Sequence, residues 1–259
     1  EINAIFEQGA LKQNIIFTRK PVEKPAPKKN YTPITQSKFH ELIIQSGAPA
    51  MIAGAQNDNK PSLILVEGMR AIDNNVPVNI DDQWHIGSIT KSFTALLVAI
   101  FVERKKLNWD TKLPDLLGKD YKMDDNYKDV TMLHLLSHRA GLPANLGMLK
   151  FLTFKKTNPD PRSERIDFVK TALLMKPIGK PAETFLYSNI GFVIAGHILE
   201  LINNKSWEDL VRTEIFEKLD LKSAGFGAPG EIGKLTQPVG HNFLPLQKSQ
   251  KAFYIGKDN

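Results

Sequence analysis

Ser88 and Lys91 stand three residues apart in the run Trp84-His85-Ile86-Gly87-Ser88-Ile89-Thr90-Lys91-Ser92-Phe93, at the mouth of a strongly apolar helical stretch. On a helix this spacing puts both side chains on one face, within reach of each other. A serine hydroxyl is a poor nucleophile until a base takes its proton, and a lysine amine can do so only when neutral. The positive end of a helix dipole disfavours an ammonium and favours an alkoxide, and burial disfavours the ammonium further. The pair is a nucleophile and base in miniature. The same Ser-x-x-Lys pattern also describes an N-capping serine followed by a first-turn surface lysine. The apolar residues directly after Lys91 weigh against that second reading.

A second cluster lies in Phe185-Leu186-Tyr187-Ser188-Asn189-Ile190-Gly191-Phe192. Tyr187 and Asn189 are two apart on an extended or turn-like stretch just before a helix, so both can face one cleft. A phenol there can hold a proton in relay with Lys91, and a carboxamide can bond both Lys91 and a substrate amide. By itself Tyr-x-Asn fits a half-buried tyrosine and a helix-capping asparagine equally well.

The elements that position these residues follow from periodicity and punctuation. A globular domain is expected from Ile34, opening with a helix through Phe39, Leu42 and Ile43 that ends at Gly47. Ala50 to Gln56 and Ser62 to Gly68 form an expected antiparallel hairpin around Asn57, Asp58, Asn59, Lys60 and Pro61. Ile89 to Lys106 is free of Gly and Pro and apolar on nearly every face from Phe93 to Val102, which predicts a central helix. Further helices are expected at Leu133 to Ser137, Ser163 to Met175, Ile190 to Ile202 and Trp207 to Leu219. Upstream, Lys20 to Pro33 packs four prolines and four lysines into a run that cannot be helix or strand interior, and reads as a tether. The organisation is therefore residues 1–33 as extension and tether, and 34–259 as one domain with a helical region at about 107–185.

The totals bound the chemistry. The 259 residues contain no cysteine, which removes disulfides, thiolate metal sites and a thiol nucleophile together. No stretch reaches the roughly 18 apolar residues that span a bilayer. The chain begins at Glu1 rather than Met, as a processed or cut chain does. A net charge of +6 invites nucleic acid as a partner, but the lysines are dispersed and carry no reading motif, so a solvated basic surface is the better account. His134 and His138 have the four-residue spacing of a metal pair, but no third ligand is apparent, and both are assigned to structure. His85, three residues before Ser88, is assigned to packing or support.

Four strings in order resemble one family. Gly87 to Thr94 is similar to the nucleophile motif, and Tyr187 to Phe192 to the second motif, of class C beta-lactamases, D-alanyl-D-alanine peptidases and related esterases. Val130 to Pro143 (VTMLHLLSHRAGLP) resembles the segment these proteins carry on the helical side of the cleft. Leu107 to Leu117 (LNWDTKLPDLL) resembles their stretch after the central helix. The resemblance implies an α/β (α+β) fold, an antiparallel sheet flanked by helices with a helical region packed on it and the site in the groove between. It implies that Ser88 is acylated, Lys91 and Tyr187 manage the protons, Asn189 orients the substrate, and the Ser88 backbone N–H supplies half an oxyanion hole. It implies no cofactor, no metal and a periplasmic or secreted location.

One departure matters. The family's third motif, His/Lys-x-Gly on a strand lining the cleft, is not apparent. Val239-Gly240-His241 is the nearest string, and after Gln237-Pro238 it reads as a loop. The expectation is a sheet lacking its C-terminal strands, a tail rearranged from about Pro238, a missing fragment or partner strand along the open edge, and poor hydrolysis by this polypeptide alone. Two functions stay open. One is a serine hydrolase working through an acyl-enzyme on D-alanyl peptides, beta-lactams or small esters. The other is a catalytically silent fold that binds cell-wall peptide or a protein partner.

Overall fold

Thr35 and Gly47 set the ends of the first helix, α1 (Gln36–Ser46). The Thr35 hydroxyl accepts the Lys38 N–H at 3.2 Å, and Gly47 takes the left-handed conformation that ends a helix without a Cβ penalty. The buried side of α1, Phe39 and Ile43, packs with Leu65 and Met51 of a hairpin. Burying an aromatic or branched aliphatic side chain contributes ~1.5–3 kcal/mol.

The computed structural model describes residues 6–7, 10–11, 34–57, 60–147, 160–231, 233–244 and 249–253. The tether expected at 20–33 lies outside the described residues. The chain divides into two compact units, residues 1–85 with 225–259, and residues 86–224.

In the first unit, β1 (Phe6–Glu7) pairs with β2 (Ala10–Leu11). The expected hairpin is present as β3 (Ala50–Asn57) and β4 (Lys60–Gly68), antiparallel with Ala50 opposite Gly68. Gly68 is required there. Its φ is +109°, and an added Cβ would lie 2.3 Å from the Pro49 carbonyl oxygen. Just beyond, Arg70 forks onto the buried Asp82, which also accepts the Asn79 N–H at 3.0 Å.

The loop expected at Val239-Gly240-His241 is corrected by the structure. Gly240–Leu244 is a strand, β5, paired antiparallel with β6 (Ser249–Phe253). The Pro238 signal ends one residue early, because Val239 already donates its N–H to the Arg70 carbonyl at 3.0 Å. His241 follows, its Nε2 accepting the Ile72 N–H at 3.0 Å. Among the described residues β3 pairs only with β4 and β5 only with β6, so the strands form antiparallel hairpins rather than one continuous sheet.

The second unit is helical: α2 (Thr90–Glu103), α3 (Leu113–Leu117), α4 (Met132–Leu136), α5 (Pro161–Leu173), α6 (Asn189–Asn203) and α7 (Trp207–Val211). The expected burial of α2 on every face is not met. Thr94, Leu97, Val98 and Phe101 form one buried stripe, while Leu96 is 43% exposed. The central helix is α6, in which every residue from Ile194 to Glu200 is buried. Its glycines allow this. A Cβ on Gly191 would sit 3.2 Å from the Leu135 carbonyl oxygen, and one on Gly196 would sit 3.3 Å from the Trp207 ring. The helix expected through Leu219 is α-helical only to Val211, then widens into a π turn over Arg212–Phe216. That turn sets Phe216 edge-on to Phe93 and Glu214 in a two-pronged bond with Arg104.

A charged cluster within this core is paired. Arg165 donates to Glu200 (2.6 and 3.0 Å) and Glu208 (2.7 and 3.0 Å), and Glu200 also accepts the Trp207 N–H. His197 bridges Glu200 and the Tyr121 hydroxyl. Burial alone would raise Glu200, but the bonds from His197 and Arg165 outweigh it and hold the carboxyl below its ordinary value. No helix among the described residues is long and apolar enough to cross a membrane.

Candidate active site

The residues singled out in the sequence meet in the second unit. Ser88 lies in a single 3-10 turn, Gly87–Ile89, that leads into α2, and its side chain does not cap the helix. The N-cap reading of Ser88 is thereby excluded. Lys91, one turn on, donates from Nζ to Ser88 Oγ at 3.0 Å and to Asn189 Oδ1 at 2.7 Å. The ammonium also lies 4.9 Å from the Tyr187 ring centroid and 5.7 Å from that of Phe192. Ser88 is exposed and Lys91 half-buried.

Tyr187 and Asn189 arrive from the segment before α6. Ser188 is the N-cap, extended at φ −136°, its hydroxyl accepting the Gly191 N–H and donating to the Pro143 carbonyl at 2.6 Å. The capping role that Asn189 was open to therefore belongs to Ser188. Asn189 is the first helical residue and turns its side chain to Lys91. On the other side of Ser188 the Tyr187 hydroxyl donates to Ser88 Oγ at 2.8 Å. Two donors thus converge on one serine oxygen. The Tyr187 phenol is held below its ordinary value, first by the Lys91 ammonium beside it and next by its bond with Ser88. Such an arrangement can remove a proton from Ser88, stabilise its oxygen as charge develops, and return the proton to a departing group.

Two participants were not legible as such in the sequence. Asn145 accepts from Asn189 Nδ2 at 2.8 Å, and the neighbouring Ala144 carbonyl accepts the Asn189 N–H at 2.9 Å. Asn145 stands two residues beyond Pro143, where the resemblance had stopped. His138 was assigned to structure, yet its ring is 4.4 Å from the Tyr187 ring and its Nδ1 accepts the Ser188 N–H at 3.1 Å. Burial and then the Lys91 charge hold the His138 imidazole below its ordinary value. His134 is turned elsewhere: its Nδ1 accepts the Thr131 N–H in a capping box at the start of α4. His85 is exposed rather than packed. No group of three or more metal-ligating side chains occurs among the described residues.

Comparison with known proteins gives the family and the fold. The family model described as Beta-lactamase matches residues 35–240. Unguisins hydrolase ungD' of Aspergillus campestris is 29% identical over 155 residues, covering 58% of this chain and 28% of that protein. Penicillin-binding protein 4 of Amycolatopsis lactamdurans is 28% identical over 158 residues, covering 61% of this chain and 39% of that one. The octameric penicillin-binding protein homologue from Pyrococcus abyssi has a similar fold, with a TM-score of 0.65 at 24% identity, over 85% of this chain and 49% of that chain. The chain spans about a third of the length of the curated relatives it matches.

Proposed function

The chain belongs to the beta-lactamase family, a family of serine hydrolases, and on that premise we propose that Ser88 is the nucleophile of an acyl-enzyme cycle. The observation that carries this reading is the convergence of Lys91 Nζ and Tyr187 OH on Ser88 Oγ, at 3.0 and 2.8 Å. Tyr187, acidified by Lys91, takes the serine proton as Oγ bonds to the substrate carbonyl carbon. It passes that proton to the leaving nitrogen or oxygen as the scissile bond breaks. Water then repeats the steps in reverse and releases the acid. Asn189, fixed by Lys91 and Asn145, orients the substrate amide. The Ser88 backbone N–H supplies one donor to the oxyanion, a kind of contact worth ~100 to 1000-fold in rate.

The substrates are D-alanyl peptides, beta-lactams or small esters, for which one catalytic set suffices because each offers an acyl carbon and a protonatable leaving group. That one relative is named a hydrolase and another a penicillin-binding protein supports acyl chemistry. A periplasmic or secreted location goes with the resemblance to cell-wall peptidases and beta-lactamases; fractionation of cells expressing the full gene tests it, and a cytoplasmic product contradicts it.

The direct test of function is turnover. A D-alanyl-D-alanine peptide, a chromogenic beta-lactam and a small ester are offered to the purified product of the full gene and to its Ser88→Ala variant. Hydrolysis of at least one that disappears in Ser88→Ala is expected. Turnover that persists in the variant overturns the assignment, and binding of ligand with no turnover by either protein supports the catalytically silent alternative.

A further inference from the structure

His138 surrounds the residue on which the proposed proton transfer depends. Its carbonyl accepts the Leu186 N–H at 2.8 Å and its Nδ1 accepts the Ser188 N–H at 3.1 Å, so it holds the backbone on both sides of Tyr187. Its ring lies along the Tyr187 ring, 4.4 Å away and tilted by 30°. Its own backbone lies at φ +57°, in the left-handed region that histidine enters more readily than most residues. Tyr187 itself is 44% exposed, and its hydroxyl is held by Ser88.

We infer that His138 is a positioning residue: its neutral Nδ1, as acceptor for the Ser188 N–H, sets the Tyr187 hydroxyl against Ser88 Oγ. The inference rests on the acyl-enzyme reading for its consequence but not for its geometry. Only a neutral imidazole can do this. A protonated ring would turn an N–H toward the Ser188 N–H and put a second cation near Lys91. The charged or titratable groups facing the ring are Lys91 from α2 and Tyr187 from the segment before α6. Phe185 and Phe192 also touch it and are uncharged, while Arg139, next along the chain, is tied to the Glu183 carbonyl. Acid therefore releases the clamp, and the direction is a loss of acylation as pH falls through the His138 value, which lies below that of an ordinary histidine.

Two variants separate an acceptor from a space-filling ring. His138→Asn keeps an acceptor oxygen close to the Nδ1 position and tolerates positive φ, but loses the ring and cannot titrate. His138→Phe keeps a ring and loses the acceptor. Circular dichroism and melting establish that each is folded. Rates of Ser88 labelling by a fluorophosphonate are read against pH, together with the 13Cζ resonance of Tyr187 in tyrosine-labelled protein, assigned by its absence from Tyr187→Phe. His138→Phe is expected to lose ~100-fold in labelling, the scale of an ångström's misplacement, and to return the Tyr187 signal toward that of a free tyrosine. His138→Asn is expected to keep most of the rate and the native Tyr187 signal, and to lose the extra, steeper fall in rate below the His138 value while keeping the fall that Tyr187 protonation causes. If His138→Phe behaves as the unmodified protein, or His138→Asn is as impaired as His138→Phe, the inference falls. The Tyr187 resonance answers even if Ser88 labels in no protein, in which case the hydrolase reading fails separately.

Discussion

Asn145 Oδ1 accepts a hydrogen bond from Asn189 Nδ2 at 2.8 Å, and this contact decides which way the Asn189 amide faces. With the amino group held there, the carbonyl oxygen is the end left to receive Lys91 Nζ at 2.7 Å. Asn145 thus acts on Lys91 through one intermediary. Asn145→Asp keeps the acceptor and Asn145→Leu removes it. The Leu variant is expected to lose roughly ten-fold in acylation rate, about the worth of one hydrogen bond between neutral groups, with Asp close to the unmodified protein. Stopped-flow acylation measures it; equal rates for all three would show that Asn189 orients itself.

Lys91→Ala and Tyr187→Phe are each expected to slow acylation by ~100 to 10,000-fold, the range of positioned acid-base groups. Both side chains are partly or largely open to solvent, so melting temperature is expected to change little. Because both act on one oxygen, the double variant is expected to be no slower than the product of the two losses and close to the worse single. Full turnover by Tyr187→Phe on every substrate removes the phenol from the mechanism.

The pH dependence has a defined sign. Tyr187 works as a base only when ionised, and Lys91 lowers the pH at which that happens. The acylation rate is expected to rise with pH through a midpoint below the ordinary tyrosine value of about 10. Lys91→Met removes the first cause of the shift, so the phenolate absorbance of Tyr187, taken as a difference from Tyr187→Phe, is expected to appear at higher pH. A midpoint unmoved by Lys91→Met contradicts this electrostatic account.

Stability makes a separate prediction. Glu200 is 1% exposed and its charge is matched by Arg165. Removing one partner of a buried pair costs about 3–5 kcal/mol, and Arg165→Met is expected to destabilise on that scale. In the native protein Glu200 lies below its unfolded value, so its contribution is present above that value and lost as pH falls. Without Arg165, part of what offsets burial is gone and the carboxyl moves up, so the variant has less of this pH-dependent stability to lose. The melting gap between the two proteins is therefore expected to narrow as pH falls below the ordinary glutamate value of about 4.3. A gap that widens would show that Arg165 does not compensate Glu200.

The legibility of this site in the sequence tracks the reach of each interaction. Ser88 and Lys91 are local, one helical turn apart, and their spacing alone put them in contact. Tyr187 and Asn189 were visible as a pair, but their junction with Ser88, across 99 residues, came from the resemblance. Asn145 and His138 meet their partners over 44 and 50 residues, and nothing in an isolated Asn or a histidine beside a helix end signals such a meeting. The same holds for the core. α2 and α6 are both apolar, and which one is surrounded depends on where Leu135 and Trp207 pack against Gly191 and Gly196, not on hydropathy. The strand at Gly240–Leu244 was hidden because turn-forming Gln237-Pro238 precedes it directly and its pairing partner is another weak strand.

The central claim is that Ser88 becomes acylated, and intact mass reads that most directly. Folded full-length protein is mixed with a fluorophosphonate and, separately, with a labelled penicillin, then weighed and mapped by peptide. The account predicts one adduct, on the peptide that carries Ser88, absent from Ser88→Ala and slowed in Tyr187→Phe. No adduct with either reagent, or an adduct that survives Ser88→Ala, contradicts it.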